Sequence, residues 1–370
     1  MNSIYCDNNA TTRVLPEVLQ AMLPCYGESY GNASSIHAFG QEAKVILDRA
    51  RLQVASLLSV DPNEIVFTSG GTESDNLAIR GIVDAAPGAE KHIITTQIEH
   101  HAVLHCCRAL EKNGVKLTYV PVDAEGLVDP AAIEKAITPH TLLISVMHSN
   151  NEIGTCQPIR EIAEVAKRHD VYFHTDAVQA AGKVPLSTQD LGVDLLSISG
   201  HKFHGPKGAG ALFVRKGTRL RPLFYGGAHE RNRRAGTENV PQIAGLGAAA
   251  DLSSRELSSR ITAMAEIRDY FERGVMERIP GSHINGCIHS RIPNTSNIRF
   301  DGAESEPLVI NLDLNGIACS TGSACSSGSI EPSHVLLALG LTSAQAFSSV
   351  RFSFSRLTVS TRSSASSQKI

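Results

Sequence analysis

A lysine, an aspartate and a glycine–threonine turn each follow an apolar run in this sequence of 370 residues. The turn, Gly70-Gly71-Thr72, precedes an amphipathic segment, where free backbone N–H groups and the dipole of a helix would favour a phosphate group. Taken alone, it could equally be a strand-to-helix turn in which Thr72 is the N-cap. Neither G-x-G-x-x-G nor G-x-x-x-x-G-K-[ST] occurs, which argues against a dinucleotide or a nucleoside triphosphate at this turn.

The lysine and the aspartate indicate which phosphate compound the turn could hold. Lys202 lies in SISGHKFHGPKG and Asp176 ends the apolar run VYFHTD. Most lysines are solvated surface charges, and an aspartate after a strand is often a helix N-cap. Together with the turn, however, they supply what pyridoxal phosphate (PLP) needs, namely an amine for its aldehyde, a phosphate anchor and an acidic partner for its ring nitrogen. The set therefore predicts a PLP site.

One cysteine has surroundings that are typical of a reactive thiol. Cys325 lies in CSTGSACSSGSIEPSHVL, among serines and glycines that cannot pack a core, whereas a buried structural cysteine normally has apolar neighbours. We expect a mobile exposed loop whose thiol can visit the cofactor and then an acceptor. Cys319 could be a resolving partner, although a bystander role is the simpler interpretation. The eight cysteines are irregularly spaced, which favours free thiols over a disulfide framework.

Composition and other motifs narrow the class of protein. With 42% hydrophobic residues, 19% charged residues and a net charge of −3, the chain is an ordinary globular protein, and nucleic acid is not an expected partner. The N-terminus lacks a signal peptide pattern and no segment is a membrane-span candidate, so we expect a cytoplasmic protein. His101 and His105 have i,i+4 spacing, but without H-E-x-x-H or C-x-x-C we expect no metal.

Seven short apolar runs alternate with helical patterns between about residues 60 and 215. They are EIVFTS, HIITTQ, VKLTYVPV, TLLISVMH, VYFHTD, LLSIS and GALFVRK. This alternation predicts an α/β fold with a parallel sheet, in which ligands bind beyond the carboxyl ends of the strands. Near residue 257 the pattern changes to a long charged helix and short strands. We therefore predict a large domain over 14–256, a smaller α/β domain from 1–13 and 257–360, and a disordered tail over 361–370.

The motifs resemble, in the same order, those of the NifS and IscS cysteine desulfurases, within the class V aminotransferase group of fold-type I PLP enzymes. The matching segments are DNNATT, YGNASSIH, TSGGTESDNLAIRG, IEHHAV, HSNNEIGTCQPI, HTDAVQAAGK, SGHKFHGPKG, RAGTENV, GSACSSGSIEPSHVL and VRFSFSR. The resemblance implies a large domain with a mainly parallel seven-stranded sheet and a smaller α/β domain.

The resemblance also implies roles for individual residues. Lys202 would carry the cofactor and shuttle protons, Asp176 would keep the ring nitrogen protonated, and His100 would stack on the ring and take part in proton transfer. The residues implied for the phenolic oxygen are Asn151 and Gln179, and those for the phosphate are Gly71, Thr72, Ser199, His201 and, from the neighbouring subunit, Thr237. Arg356 would pair with the carboxylate of the substrate, with Asn32 assisting.

The activity that the resemblance implies is the removal of sulfur from L-cysteine. Cys325, as a thiolate, would attack the substrate sulfur and become a persulfide, and alanine would be released. The implied partners are a second copy of the chain, in a homodimer, and an iron–sulfur scaffold protein that accepts the sulfur. The segment GSIEPSHVL resembles the nitrogen-fixation branch of these desulfurases more than the other branches.

The chain departs from the family pattern at three places. Ala33 replaces a usual proline and Ala235 a common serine, and after Arg356 the chain continues as LTVSTRSSASSQKI instead of an acidic turn and an amphipathic helix. Loss of that helix would expose apolar surface and loosen the strand that carries Arg356. Two alternatives stay open, namely a related PLP aminotransferase or β-lyase that does not need Cys325, and an impaired homologue that acts as an assembly subunit.

Overall fold

A computed structural model of the protein describes residues 3–321 and 331–358. Within them the strands are β1 (Ile4–Tyr5), β2 (Ile65–Thr68), β3 (His92–Thr96), β4 (Lys116–Val120), β5 (Thr141–Ser145), β6 (Tyr172–Asp176), β7 (Leu195–Ser199), β8 (Gly210–Val214), β9 (Ser282–Asn285), β10 (Thr295–Phe300), β11 (Ile317–Ala318) and β12 (Ser349–Ser353). The α-helices are α1 (Pro16–Met22), α2 (Pro24–Gly27), α3 (Ala38–Leu58), α4 (Gly71–Ala85), α5 (His101–Glu111), α6 (Pro130–Ala136), α7 (Ile159–Arg168), α8 (Thr188–Leu191), α9 (Val240–Arg278), α10 (Ser305–Leu314), α11 (His334–Ala338) and α12 (Ser343–Ala346).

The central sheet has seven strands in the order β2-β8-β7-β6-β5-β3-β4. Each strand comes from one of the seven predicted apolar runs, and only β8 runs against the others, being antiparallel to both β2 and β7. The prediction of an α/β fold with a mainly parallel seven-stranded sheet is therefore confirmed. Because the six remaining strands point the same way, their carboxyl ends meet at one edge of the sheet.

Helices cover both faces of this sheet, which explains why its strands are apolar without alternation. Successive residues of a strand point to opposite faces. Thus Ile94 packs into the cluster that contains residues of α3, α7 and α9, whereas its neighbour Ile93 packs with residues of α4 and α5. Both side chains are fully buried. The two helical layers leave the carboxyl edge of the sheet as the place for a ligand.

The long helix α9 begins earlier than its charged pattern predicts. That pattern starts near residue 257, whereas α9 begins at Val240 and runs without a break to Arg278. The extra turns contain Gly245 and Gly247. Because glycine is a poor helix former, the sequence pattern does not predict a helix there. A Cβ on Gly247 would lie 2.6 Å from the Cα of Ala50, so this glycine allows α9 to pack closely on α3. The predicted boundary at residue 256 falls inside α9, and the division into two domains stays a prediction.

The remaining strands form two smaller sheets beside the last part of α9. Strands β12, β10 and β9 are antiparallel, and β1 pairs with β11 in parallel. Phe352 and Phe354 pack on Phe271 of α9 with ring centroids 4.7 and 5.4 Å apart. Helix α10 buries only Ser305. None of the helices in the described ranges is long and apolar enough to cross a membrane.

Candidate active site

The carboxyl edge of the central sheet brings together the turn after β2 and the end of β7. Gly70 has a φ of +151°, and an added Cβ there would lie 3.6 Å from the Oγ of Ser199. An added Cβ on Gly71 would lie 2.7 Å from Cγ2 of Val178, so the second glycine allows this close approach. Helix α4 begins at Gly71, which leaves its first N–H groups for an anion. Gly71 and Ser199 thus form a cradle of the kind that a phosphate needs.

Lys202 lies at the same edge, in the short 3-10 turn that follows β7. Its Nζ donates hydrogen bonds to the backbone oxygens of Asn9 at 2.6 Å and Ala10 at 2.9 Å. The neighbouring His201 is joined to the same N-terminal segment, since its backbone oxygen accepts from Thr12 Oγ1 at 2.9 Å. The segment that contains these residues therefore fixes the position of the lysine amine.

Asn9 connects this lysine to the two residues predicted near the phenolic oxygen of the cofactor. Gln179 Nε2 donates to the Asn9 backbone oxygen at 3.0 Å, and Asn9 Nδ2 donates to the backbone oxygen of Asn151 at 3.1 Å. Lys183 Nζ donates to both Asn9 Oδ1 and Gln179 Oε1, at 3.1 and 2.8 Å. The structure thus brings Gln179, Asn151 and Lys202 together around one asparagine.

Asn9 and Lys183 are not among the residues to which the sequence alone assigns a role. Lys183 is only 4% exposed, and burial, followed by the charges of Lys202 and Arg351, lowers its pKa well below the usual range. The sequence does contain a pattern that indicates Lys183, because this lysine follows Gln179 by four residues in a run of small residues, AVQAAGK. That spacing places both side chains on the same side of a helical turn.

Asp176 ends β6, the neighbour of β7, and is 5% exposed. Its Oδ1 accepts a hydrogen bond from the backbone N–H of Val178 at 2.9 Å. Burial raises the pKa of Asp176 to about 6, and the Val178 N–H and the charge of Lys202 only partly oppose this rise. A protonated ring nitrogen would supply counter-charge to this buried carboxylate. The acid, the lysine and the glycine cradle therefore fit PLP.

His100 is the N-cap residue of α5, and its Nδ1 accepts a hydrogen bond from the backbone N–H of Ala102 at 3.1 Å. Burial, and then the charge of Lys202, lower its pKa to about 4. The ring is therefore neutral near pH 7, and its proton lies on Nε2 because Nδ1 is an acceptor. Its neighbour His101 stacks on His105 with centroids 4.8 Å apart, and no group of three or more potential ligands in the described residues could hold a metal ion.

Glu99, immediately before His100, is a buried acid with an incomplete set of hydrogen bonds. Its Oε1 accepts from Thr96 Oγ1 at 2.6 Å and from the Met147 N–H at 3.0 Å, whereas its buried Oε2 has no partner in the described part of the chain. Burial raises the pKa of Glu99 from 4.5 to about 8. The carboxyl is therefore protonated at neutral pH.

We expect this protonated acid to make the stability of the protein depend on pH. Since the pKa is higher in the folded chain, the stabilising contribution is present below pH 4.5 and is lost as the pH rises through about 8. Glu99→Gln, which cannot ionise, should lose less stability between pH 6 and pH 9. Thermal denaturation of the cofactor-free protein should show a decrease in Tm that is smaller by about 2 °C or more in the variant. Glu125→Gln, at an exposed glutamate, should behave as the wild type, and an equal decrease in all three proteins would contradict the assignment.

The remaining predicted residues are only partly brought together. Arg356 lines a cavity that Lys202 also lines, and its Nη1 is paired with Glu256. Asn32 is exposed and its Oδ1 accepts from the Ser34 N–H at 2.9 Å, and within residues 3–321 and 331–358 no hydrogen bond or ion pair joins it to Arg356.

Two of the residues predicted to bind the phosphate, Thr72 and Thr237, are exposed. Thr72 lies in the first turn of α4, and Thr237 lies in a segment whose Arg234 pairs with Glu73 at 2.9 Å. Cys325 and the predicted tail at 361–370 lie outside the described residues.

Comparisons with known proteins give the family. The model of the family "Aminotransferase class-V" matches residues 4–361. The cysteine desulfurase IscS of Dictyoglomus turgidum is 51% identical to this chain, and the match covers 94% of this chain and 89% of that protein. The cysteine desulfurase IscS of Methanosarcina thermophila is also 51% identical, and the match covers 97% of this chain and 88% of that protein. Among solved structures, a NifS-like protein is similar with a TM-score of 0.90 and 39% identity, covering 97% of this chain and 96% of that one. The structure of SspA in complex with cysteine is similar with a TM-score of 0.86 and 38% identity, and the match covers 95% of this chain and 99% of that one. The chain therefore belongs to the class-V aminotransferase family and, within it, to the cysteine desulfurases of the IscS and NifS type.

Proposed function

We propose that the protein is a PLP-dependent cysteine desulfurase that converts L-cysteine into L-alanine and keeps the sulfur on Cys325 as a persulfide. The observation that carries this proposal is the arrangement of Lys202, the buried Asp176 on the neighbouring strand and the glycine cradle at the carboxyl edge of the central sheet. Two relatives at 51% identity bear the name cysteine desulfurase, and a solved neighbour contains cysteine.

The residues that would hold the cofactor surround the carboxyl edge of the sheet. The phosphate would be bound by Gly71, Thr72, Ser199 and His201, the phenolic oxygen by Asn151 and Gln179, and the ring by His100 and Asp176. When bound, PLP supplies an electron sink for the negative charge that develops on the substrate. Thr237 would come from a second copy of the chain, which makes a homodimer part of the proposal.

The side chains of the site divide the proton chemistry among them. The Lys202 amine, positioned by two backbone carbonyls, moves protons at the α and β carbons of the substrate. The Asp176 carboxylate keeps a proton on the ring nitrogen, and its burial strengthens this interaction. Neutral His100 can take part in proton transfer through Nε2. Arg356 receives the carboxylate of the substrate, with Asn32 assisting.

Sulfur leaves the substrate by attack of the Cys325 thiolate on the sulfur atom of L-cysteine. A sulfur–sulfur bond forms, the carbon–sulfur bond of the substrate breaks, and its electron pair stays with the β carbon, which takes up a proton. The balance is L-cysteine plus enzyme thiol giving L-alanine plus enzyme persulfide. The persulfide sulfur then passes to an iron–sulfur scaffold protein in the cytoplasm, with nitrogenase assembly as one candidate destination.

The products of the reaction test this proposal. Cofactor-loaded protein that is incubated with L-cysteine and a thiol reductant should release alanine and sulfide in equal amounts. A β-lyase would instead release pyruvate and ammonia with the sulfide, and an aminotransferase would require a 2-oxo acid. A protein that binds PLP but forms neither alanine nor sulfide would overturn the proposal and favour an assembly subunit without activity.

A further inference from the structure

Lys183 is a buried lysine whose amine is held by two uncharged oxygens. It is 4% exposed, and its Nζ donates to Gln179 Oε1 at 2.8 Å and to Asn9 Oδ1 at 3.1 Å. Within residues 3–321 and 331–358 no carboxylate forms a hydrogen bond or an ion pair with it. A lysine that is buried as a charge is normally paired with an acid. The contacts therefore indicate that Lys183 serves as a hydrogen-bond donor.

The amide of Gln179 is held at both of its ends. Lys183 donates to its oxygen, and its Nε2 donates to the backbone oxygen of Asn9 at 3.0 Å. The same backbone oxygen accepts from Lys202 Nζ at 2.6 Å, so the amide nitrogen lies beside the amine of the site. A rotated amide would lose the bond to the Asn9 oxygen, which can only accept, and would no longer offer an oxygen to Lys183. The two neighbours thus select one orientation of the amide.

This orientation leaves one N–H group of Gln179 for a further acceptor. A glutamine Nε2 has two hydrogens, and in the described part of the chain it donates only to the Asn9 oxygen. The proposed function assigns Gln179 to the phenolic oxygen of PLP. A donor at that oxygen draws negative charge away from it, which makes the nitrogen that joins Lys202 to the cofactor easier to deprotonate.

We propose that Lys183 is a positioning residue that fixes the Gln179 amide with its nitrogen, and not its oxygen, toward the cofactor. This inference rests on the proposed function, which places Gln179 at the phenolic oxygen and Lys202 at the cofactor aldehyde. Without Lys183, the buried Oε1 of Gln179 would lose its donor, which is unfavourable, and the amide would turn toward another one. The cofactor would then lose the hydrogen bond of Gln179.

Lys183→Met keeps the length of the side chain and removes its donors. The visible band of the cofactor-loaded protein is titrated with pH in the absence of substrate. The midpoint in the variant should lie about one pH unit higher than in the wild type, the size expected for the loss of one hydrogen bond between neutral groups. Lys183→Gln is shorter and can reach only one of the two oxygens, so it should raise the midpoint by less. It keeps a polar group in the buried network and serves as the test if the methionine variant does not fold.

A double variant tests whether Lys183 acts through Gln179. Gln179→Met alone should raise the midpoint by about the same amount, because it removes the same hydrogen bond. Adding Lys183→Met to it should cause no further rise. If Lys183 acted through a charge of its own, the two rises would add up. Lys167→Met, at an exposed lysine of α7, is the matched control and should titrate as the wild type does.

The possible results distinguish the inference from the function on which it rests. A midpoint that is equal in the wild type and the Lys183 variants, or a band that is independent of pH in all of them, would overturn the role of Lys183 alone. Additive rises in the double variant would overturn the action through Gln179. A wild type that shows no visible band after loading with PLP would overturn the proposed function, and the inference with it.

Discussion

Replacing Lys202 by alanine is expected to remove the visible absorption band of the protein-bound cofactor and to lower alanine formation by about 10³-fold or more. The variant lacks the amine that would bind the cofactor aldehyde, and it lacks the group that moves the substrate protons. Among the described residues, the other lysine of this network is Lys183, and it is placed differently, since it donates to side-chain oxygens whereas Lys202 donates to the backbone oxygens of Asn9 and Ala10. Visible spectra after loading with PLP, and alanine formed per minute, are the measurements.

A matched control for this variant is Lys207→Ala. Lys207 lies in the same loop and is exposed, so its loss should leave both the spectrum and the rate unchanged. A visible band that persists unchanged in Lys202→Ala would contradict the assignment of Lys202 and would make Lys183, which is joined to the same Asn9, the next lysine to replace.

Replacing Cys325 by alanine is expected to lower sulfide release by about 10²-fold or more while leaving the visible band of the cofactor intact. The reason is that only a thiolate can take the sulfur, whereas the groups that hold the cofactor are unchanged. Cys319 cannot replace it at neutral pH, because burial raises the pKa of the Cys319 thiol to about 12. Sulfide and alanine should be measured in the same reaction, with the spectrum taken before substrate is added.

The control for the thiol is Cys319→Ser, which should keep the rate of sulfide release. Full activity in Cys325→Ala would exclude the persulfide route and would point to a β-lyase, which needs the lysine but no thiol. Loss of activity in both cysteine variants would instead contradict the bystander role of Cys319.

The parts of the fold and site that could be predicted from sequence depend on local patterns. Apolar runs of four to eight residues give strands, and the polar residues after them must lie at the carboxyl edge of a parallel sheet. The sequence therefore predicts Gly71, Asp176 and Lys202 at one edge of the sheet, and they lie at that edge in the structure. The early start of α9 is not predicted, because glycine disfavours a helix, whereas here Gly247 allows close packing against α3 and Gly245 against Met22 of α1.

The parts that could not be predicted depend on contacts between distant segments. Glu256 and Arg356 are 100 residues apart, and nothing in either local sequence indicates the pairing. The role of Asn9 likewise depends on which backbone carbonyl faces Lys202, and hydrophobic periodicity contains no information about a backbone oxygen. The DNNATT motif was recognised only through its resemblance to a family.

The N-terminal segment also has a consequence for the order of folding during synthesis. The Asn9 backbone N–H donates to the Oγ of Ser353 at 2.9 Å, across a separation of 344 residues. The segment that contains Asn9 therefore finds this partner only after the chain has been made as far as Ser353. Contacts so distant along the chain form slowly, because a large loop must close first. The carbonyls of Asn9 and Ala10, which hold the Lys202 amine, thus depend for their final positions on a partner that is made 344 residues later.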